Sequence, residues 1–435
     1  MEKSSKTKFY LVLVIFSLIG QVAWVVENMY FNVFIYEMFQ ATPKDITNMV
    51  MASAITATLT TLIVGALSDK LGKRKIFMSL GYILWGVSIL TFAFIRKDIV
   101  GAIIPASVVA TSTVCITLVI IMDCAMTFFG SSANDACFNA WLTDVATSEN
   151  RGKAEGINSM MPLMAILVVF GGFMGLDTSK ESSWVIIYSI IGIVVIAIGI
   201  LGFFIIEEPK IETDKNKSYF KNIIYGFRPS VIKENKGLYI YLIAFAIFGI
   251  SIQIFMPYLI IYYEHTLEMQ NYVFIMAPAI ILAGIFTFFW GKYYDKVGFN
   301  KSIFPSLGLL ALGYIFLIAF TRSALVFIGS LAMMCGYLSG MAVFGAKIRD
   351  KIPENKAGMF QGLRIIGQVL IPGIIGPAIG NMVLNGAEKK LINGQETFIP
   401  NIKIFIAALV VLAFAILTVL LIIFLKSKRA KNEAK

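Results

Sequence analysis

The chain has 435 residues, 58% of them hydrophobic and only 14% charged, with a mean hydropathy of +0.81. A soluble protein carries about 25% charged residues, so a soluble globular domain is excluded, and apolar runs of about 20 residues rather than about 10 exclude an outer-membrane barrel. The net charge of +11 sits in alternate loops, which makes it a topology signal and excludes a nucleic-acid surface.

Lys3, Lys6 and Lys8 precede an apolar run from Phe9 to about Phe39. That run is too long for a signal-peptide core, so it reads as a retained first span. Twelve spans follow the hydropathy. The first six are roughly 9–38, 46–68, 76–95, 114–145, 155–176 and 184–206. The second six are roughly 237–263, 271–292, 302–320, 323–347, 359–384 and 402–425. The expected class is an all-α polytopic membrane protein. Its expected organisation is a six-helix bundle over residues 1–206, a polar linker over 207–236 and a second six-helix bundle over 237–435. Cys115, Cys124, Cys137 and Cys335 all fall inside apolar spans and read as small buried residues.

With both termini placed in the cytosol, 29 of the 37 Lys and Arg fall inside and 8 outside. The reverse orientation inverts the ratio and breaks the positive-inside rule. The expected location is therefore a plasma membrane, of the bacterial inner-membrane kind. One loop occurs twice. Gly65-Ala-Leu-Ser-Asp69-Lys70-Leu-Gly72-Lys73-Arg74-Lys75 follows span 2, and Gly291-Lys-Tyr-Tyr-Asp295-Lys296-Val-Gly298-Phe-Asn-Lys301 follows span 8, 226 residues on. Tyr36-Glu37 and Tyr263-Glu264 repeat at an offset of 227, and Glu149-Asn150-Arg151 and Glu354-Asn355-Lys356 at 205. The drop of 21 falls on the segment around Lys97–Thr113, read as an external insertion of re-entrant type that the second half lacks. Two halves in parallel order are a common plan for secondary transporters.

The residues of the first loop resemble the loop 2–3 motif of the major facilitator superfamily, and the degenerate second copy falls at loop 8–9 of the same plan. The resemblance covers the whole chain and implies the major facilitator fold. Gln21, Trp24, Glu27, Asn28 and Asn32 on span 1, with Asn134, Asp135, Asn139 and Asp144 on span 4, are similar to the glycoside–pentoside–hexuronide:cation symporters and the sucrose-type carriers. Melibiose-type members hold their coupling cation on an acidic pair in span 2. Here that stretch reads Ser53-Ala-Ile-Thr56-Ala-Thr58-Leu-Thr60-Thr61, with no acid. The superfamily also implies that helices 1, 4, 7 and 10 line a central cavity.

Buried polar residues are the candidates for chemistry, because a charge at the bilayer centre costs about 2.5–3.5 kcal/mol even on the lenient insertion scale. At 100° per residue, Gln21, Asn28 and Asn32 share one face of span 1, with Glu27 to the side near Trp24. On span 4, Asp123, Thr127, Gly130, Asn134 and Trp141 form one stripe, and Ser131, Asp135 and Asn139 a second. Asp135 and Glu27 are the expected coupling acids, and Asp123 and Asn134 the expected substrate contacts. Gln253 and Tyr258 on span 7 complete the cavity set. The alternative for every one of them is polar contact between packed helices. The expected cytosolic gate comprises Gly65, Asp69, Gly72, Lys73, Arg74, Asp144, Arg151, Asp295 and Gly298, with Asp144 pairing to Arg74 or Arg151 and Gly65 permitting close helix approach.

No G-x4-G-K-[ST], H-E-x-x-H or metal-spaced Cys/His set occurs, so no metal or cofactor is expected and the chain does not read as an enzyme. The expected function is secondary active transport of a small polar solute, a sugar or glycoside, coupled to a cation, with a proton expected and sodium the alternative. A lipid-like or drug-like amphipathic cargo is the second reading, which the amide count on spans 1 and 4 opposes. A non-transporting sensor is the third. The expected partners are the solute, the coupling ion and the bilayer, the expected state is a monomer, and no nucleic acid is expected.

Overall fold

The computed structural model describes residues 3–104, 108–147, 150–208, 225–269, 271–352, 362–392 and 394–433. Residues 209–224 of the expected linker, and the repeat copy at Glu354-Asn355-Lys356, lie outside them. Twelve helices are long and apolar enough to cross a membrane. Spans 1–6 are Thr7–Phe39, Pro43–Leu71, Lys75–Phe94, Ala110–Val145, Gly156–Phe173 and Glu181–Ile205. Spans 7–12 are Lys236–Thr266, Val273–Val297, Phe299–Ala319, Ser323–Lys351, Gly362–Leu384 and Lys403–Leu425. Each satisfies its own backbone groups, which hydrocarbon requires.

Local chemistry sets the ends. Span 2 begins at a capping box in which Thr42 and Asp45 exchange hydrogen bonds, with Pro43 at the first helical position. It stops at Gly72, whose φ of 62° lies in the left-handed region. Span 8 stops at Gly298, with φ 75° and ψ −178°, a region open essentially to glycine alone.

The chain forms two compact units. The first holds spans 1–6 and also residues 389–397; the second holds spans 7–12. In the first unit span 3 packs along span 6, span 1 on span 5, and span 4 against spans 2 and 3. Spans 3 and 6 meet at Gly86 and Gly192, where a methyl on Gly86 would lie 2.6 Å from the Gly192 carbonyl oxygen. In the second unit span 10 packs on spans 8 and 9, and span 7 on spans 11 and 12. The segment after span 3 forms a short helix, Lys97–Ile103. Lys97 seats it by donating to Gln40 Oε1 at the end of span 1, at 2.7 Å.

Two features depart from a plain helical reading. A two-stranded hairpin, Lys389–Ile392 with Gln395–Phe398, interrupts the connection between spans 11 and 12. Spans 1, 4, 7 and 11 each contain a π-helical turn, at Val26–Tyr30, Ser131–Phe138, Tyr262–Thr266 and Ile366–Leu370. Such turns concentrate at functional sites.

Candidate functional site

The site begins with the wide turn of span 1. A π-turn loosens the i to i+4 ladder and leaves carbonyls to be satisfied by side chains. Asn28 Nδ2 donates to the Trp24 carbonyl at 2.8 Å, and Asn32 Nδ2 to the Asn28 carbonyl at 3.2 Å. On span 4, Asn139 Nδ2 donates to the carbonyls of Asn134 and Asp135 at 3.3 and 3.0 Å. The amide donors of all three therefore serve their own helices. The extra residue in the turn also breaks the face that uniform 100° spacing gives Gln21, Asn28 and Asn32: Gln21 is half-buried, Asn28 exposed and Asn32 buried.

Glu27 sits inside the wide turn and is buried, at 8% exposure. Its Oε1 accepts from Ser53 Oγ of span 2 at 2.7 Å and from Thr127 Oγ1 of span 4 at 2.9 Å. The two hydroxyl oxygens lie 2.9 Å apart and close a triangle across three helices. Its Oε2 is buried with no hydrogen-bond partner among the described residues. Asp123 of span 4 is 2% exposed, interacts electrostatically with Glu27, and likewise leaves Oδ1 unpartnered.

Below this pair, Asn134 is clamped. Its Nδ2 donates to Tyr82 Oη at 2.7 Å, and Tyr82 donates on to the Phe16 carbonyl at 2.6 Å. Trp24 Nε1 lies 3.4 Å from Asn134 Oδ1, and the Trp24 ring rests 5.0 Å from that of Trp85. Asp135 is half-buried in the span-4 π-turn and accepts from Ser131 at 3.0 Å. The structure thus groups Trp24, Glu27, Asp123 and Asn134 inside the first unit, with Asp135 on its edge and Asn139 exposed. Asp123 and Asn134, expected to face substrate, are interior. On span 7, Gln253 is half-buried and Tyr258 fully buried beside Phe398, ring centroids 6.2 Å apart.

The loop after span 2 is built around one buried guanidinium. Arg74 is 3% exposed. Its Nη2 pairs with Asp69 at 2.5 Å, its Nε with Asp144 at 2.9 Å, and its Nη1 donates to Ser68. Glu208, just past span 6, accepts from the Arg74 and Lys75 backbone amides at the start of span 3, where a carboxylate meets the positive end of the helix dipole. Asp144 is thus partnered by Arg74; the side chain of Arg151 lies outside the described part of the structure. Lys73 is exposed. Gly65 is no point of close approach, since a methyl there would meet only Ala136, at an ordinary 3.9 Å. In the second copy Asp295 is exposed and makes no ion pair among the described residues, Asn300 stands where the first copy has Arg74, and Tyr294 donates to Asp350 at 2.8 Å. Sequence reasoning missed Glu208, Ser68 and Tyr82. Glu208 carried a signal, an acid at the end of span 6, but its partner lies 134 residues away.

The Major Facilitator Superfamily description matches residues 11–377, and the chain belongs to that superfamily. It is a multi-pass membrane transporter rather than an enzyme. No curated protein sequence matches the chain. Among solved structures it is similar to a bacterial homologue of the human lysosomal transporter Spinster, inward-facing and occupied, with a TM-score of 0.71, 16% identity and 97% of each chain covered. It is similar to the nucleoside transporter NupG, with a TM-score of 0.68, 12% identity and 95% of this chain and 98% of that one covered. It is also similar to a D-xylose–proton symporter, with a TM-score of 0.68, 12% identity and coverage of 94% and 97%. At these identities the likeness shows the fold.

Proposed function

We propose that the protein is a cation-coupled secondary transporter of a small polar solute, a sugar or glycoside, in the glycoside–pentoside–hexuronide:cation or sucrose-type branch. It works in a plasma membrane with both termini in the cytosol, as the distribution of Lys and Arg supports. The observation that carries this reading is Glu27. A carboxyl is buried in the middle of a span, one oxygen is held by Ser53 and Thr127, and the other is left without a partner. Neutralising that acid with a bound cation removes a penalty of a few kcal/mol inside hydrocarbon. The carrier then reorients readily when loaded and poorly when Glu27 or Asp135 is charged and unpaired. Asp69, Arg74 and Asp144 act as a latch that holds the cytosolic side in one access state and releases it in the other.

Uptake of a labelled sugar panel into proteoliposomes, under imposed proton or sodium gradients, tests this. Asp135→Asn is expected to abolish accumulation while exchange persists. Unchanged accumulation removes Asp135 from coupling.

One observation favours a second cargo, lipid-like or amphipathic. The amide donors of Asn28, Asn32 and Asn139 go to their own helix carbonyls, which leaves fewer groups for a polyhydroxylated solute. Competition between glycosides and lysolipids for the same site separates the two.

A further inference from the structure

Spans 11 and 12 both pack on span 7 and leave a groove between themselves. Span 11 is drawn in at Gly380, where a methyl would lie 2.8 Å from the Ile254 carbonyl oxygen. Span 12 is held by Ser251 Oγ, which donates to the Ala408 carbonyl at 2.7 Å, and by Phe405, whose ring lies 5.4 Å from that of Phe255. The connection between spans 11 and 12 carries the hairpin instead of a tight turn, so it does not draw the two helices together. The groove that remains has a volume of about 470 Å³, within the range of small-molecule sites. Ile379, Met382 and Val383 of span 11 line it with Ile406, Val410 and Val411 of span 12. Met382, Ile406 and Val410 are 68, 42 and 53% exposed. They belong to membrane spans, so the medium they meet is lipid.

One end of the groove is polar. Lys403, the first residue of span 12, and Asn385, the first after span 11, line it there. Both are exposed, and no acid lines the groove. Lys403 makes no ion pair among the described residues. At 1.5 Å per residue, Val410 lies about 10 Å deeper than Lys403. The groove thus runs from the headgroup level into the hydrocarbon, with a cation at its shallow end and aliphatic side chains along its depth. A phospholipid has the complementary order, a phosphate at the interface and an acyl chain below it. Topology does not account for the cation. With both termini in the cytosol, Lys403 is among the 8 Lys and Arg on the outer side, the side that the positive-inside rule depletes. An unfilled crevice also forfeits dispersion contacts along its lining, and a flexible chain restores them.

We propose that the crevice between spans 11 and 12 is a binding site for one anionic phospholipid. Its phosphate sits at Lys403 and Asn385, and one acyl chain lies along Ile379, Val410 and Val411. The Lys403 ammonium supplies the charge, and the Asn385 amide adds a neutral hydrogen bond. Preference over a zwitterionic lipid comes from Lys403, because a choline headgroup brings its own cation beside the phosphate and repels the ammonium. The site lies wholly within the second unit and depends on neither the cargo nor the coupling ion.

The full-length protein in detergent is mixed with equal amounts of palmitoyl-oleoyl phosphatidylglycerol and palmitoyl-oleoyl phosphatidylcholine, and the lipid it retains is counted by native mass spectrometry. One phosphatidylglycerol is expected to be retained in preference. Lys403→Gln is expected to reduce that preference about fivefold, the weight of one cation at an anionic lipid surface. Lys44→Gln removes an exposed lysine at the start of span 2, on the same side of the membrane, and is expected to leave the preference unchanged. Ala407 also lines the groove, and Ala407→Phe, which fills it, is expected to remove the retained lipid whatever its headgroup. Equal retention of the two lipids, a preference that survives Lys403→Gln, or an equal loss in Lys403→Gln and Lys44→Gln overturns the site. Retention undiminished in Ala407→Phe puts the lipid elsewhere, the transport site included, and overturns it as well. Lys403→Gln alters only an exposed side chain and carries the test if Ala407→Phe fails to fold.

Discussion

The two units share a plan of six spans but divide their chemistry. The first places Glu27, Asp123 and Asp135 inside its helices and a buried Arg74 in its loop. In the second, acids occur only in the last few residues of spans, at Glu264, Asp295 and Asp350. Its interior polar contacts are hydroxyls: Ser251 with Tyr314 at 3.1 Å, Ser339 with Ser306 at 2.9 Å, and Tyr263 with Ser330. Its core is aromatic, with Phe344 set 5.4 Å from both Phe245 and Phe248. A hydroxyl pair is neutral at every stage of a transport cycle, whereas a buried carboxyl is not. A duplicated scaffold can therefore confine its buried acids to one half and leave the other without them.

The sharpest way to break this comparison is to neutralise one acid in the first unit and one hydroxyl in the second. Glu27→Gln is expected to bring accumulation down to equilibrium. One coupled charge across about 100 mV is worth about 2.3 kcal/mol, or about fifty-fold accumulation, so the loss is easily read. Tyr314→Phe is expected to leave accumulation intact and to cost about 1 kcal/mol of stability, the price of one buried hydrogen bond.

The loops come next. Arg74→Ala strands Asp69 and Asp144 and is expected to cost about 2–3 kcal/mol, below the 3–5 of a fully buried pair because the Asp69 side chain is 47% exposed. Placing the missing cation in the second copy, Asn300→Arg, is expected to change stability by about 0.5 kcal/mol or less, since the site is exposed. The two loop glycines rank in the opposite sense. Gly298→Ala, at φ 75° and ψ −178°, is expected to cost about 2–3 kcal/mol, and Gly72→Ala, in the ordinary left-handed region, about 1–2. Thermal unfolding of the purified variants reads all four.

The smallest effect belongs to the insertion that only the first half has. Burial holds the half-buried Lys97 ammonium below the usual lysine range. Its charged form is disfavoured by folding, so the penalty is complete at low pH. It is relieved as pH rises through the folded value toward the ordinary one, and stability increases across that alkaline window. Lys97→Gln is expected to flatten this rise in a pH series of unfolding midpoints.

The spans and the duplicated loop were legible because hydropathy and the Gly and Asp positions are local signals. The residues around Glu27 were legible only as candidates. A wheel drawn at 100° per residue puts Asp123 and Asn134 on one stripe but does not say what that stripe faces, and such a wheel loses phase at Val26–Tyr30 and, past Asp123, at Ser131–Phe138. Nothing in the composition of those stretches separates a π-turn from an α-turn. Ser53 and Thr127 were visible as hydroxyl residues, but their meeting at one carboxyl is a tertiary fact. The hairpin at Lys389–Phe398 did carry a signal, Asn393-Gly394, which favours a tight turn. Strands of four residues between two spans were too short for alternation to register.

The wide turns of spans 1 and 4 bear on how this chain is matched to its kin. Each accommodates one surplus amino acid, so a relative lacking that residue would present the same surfaces on either side as an uninterrupted helix. Gaps are ordinarily forbidden within helices when homologues are lined up. Here that prohibition would displace every position from Phe31 to Phe39 and from Asn139 to Val145 by one, and would pair functional side chains with the wrong counterparts.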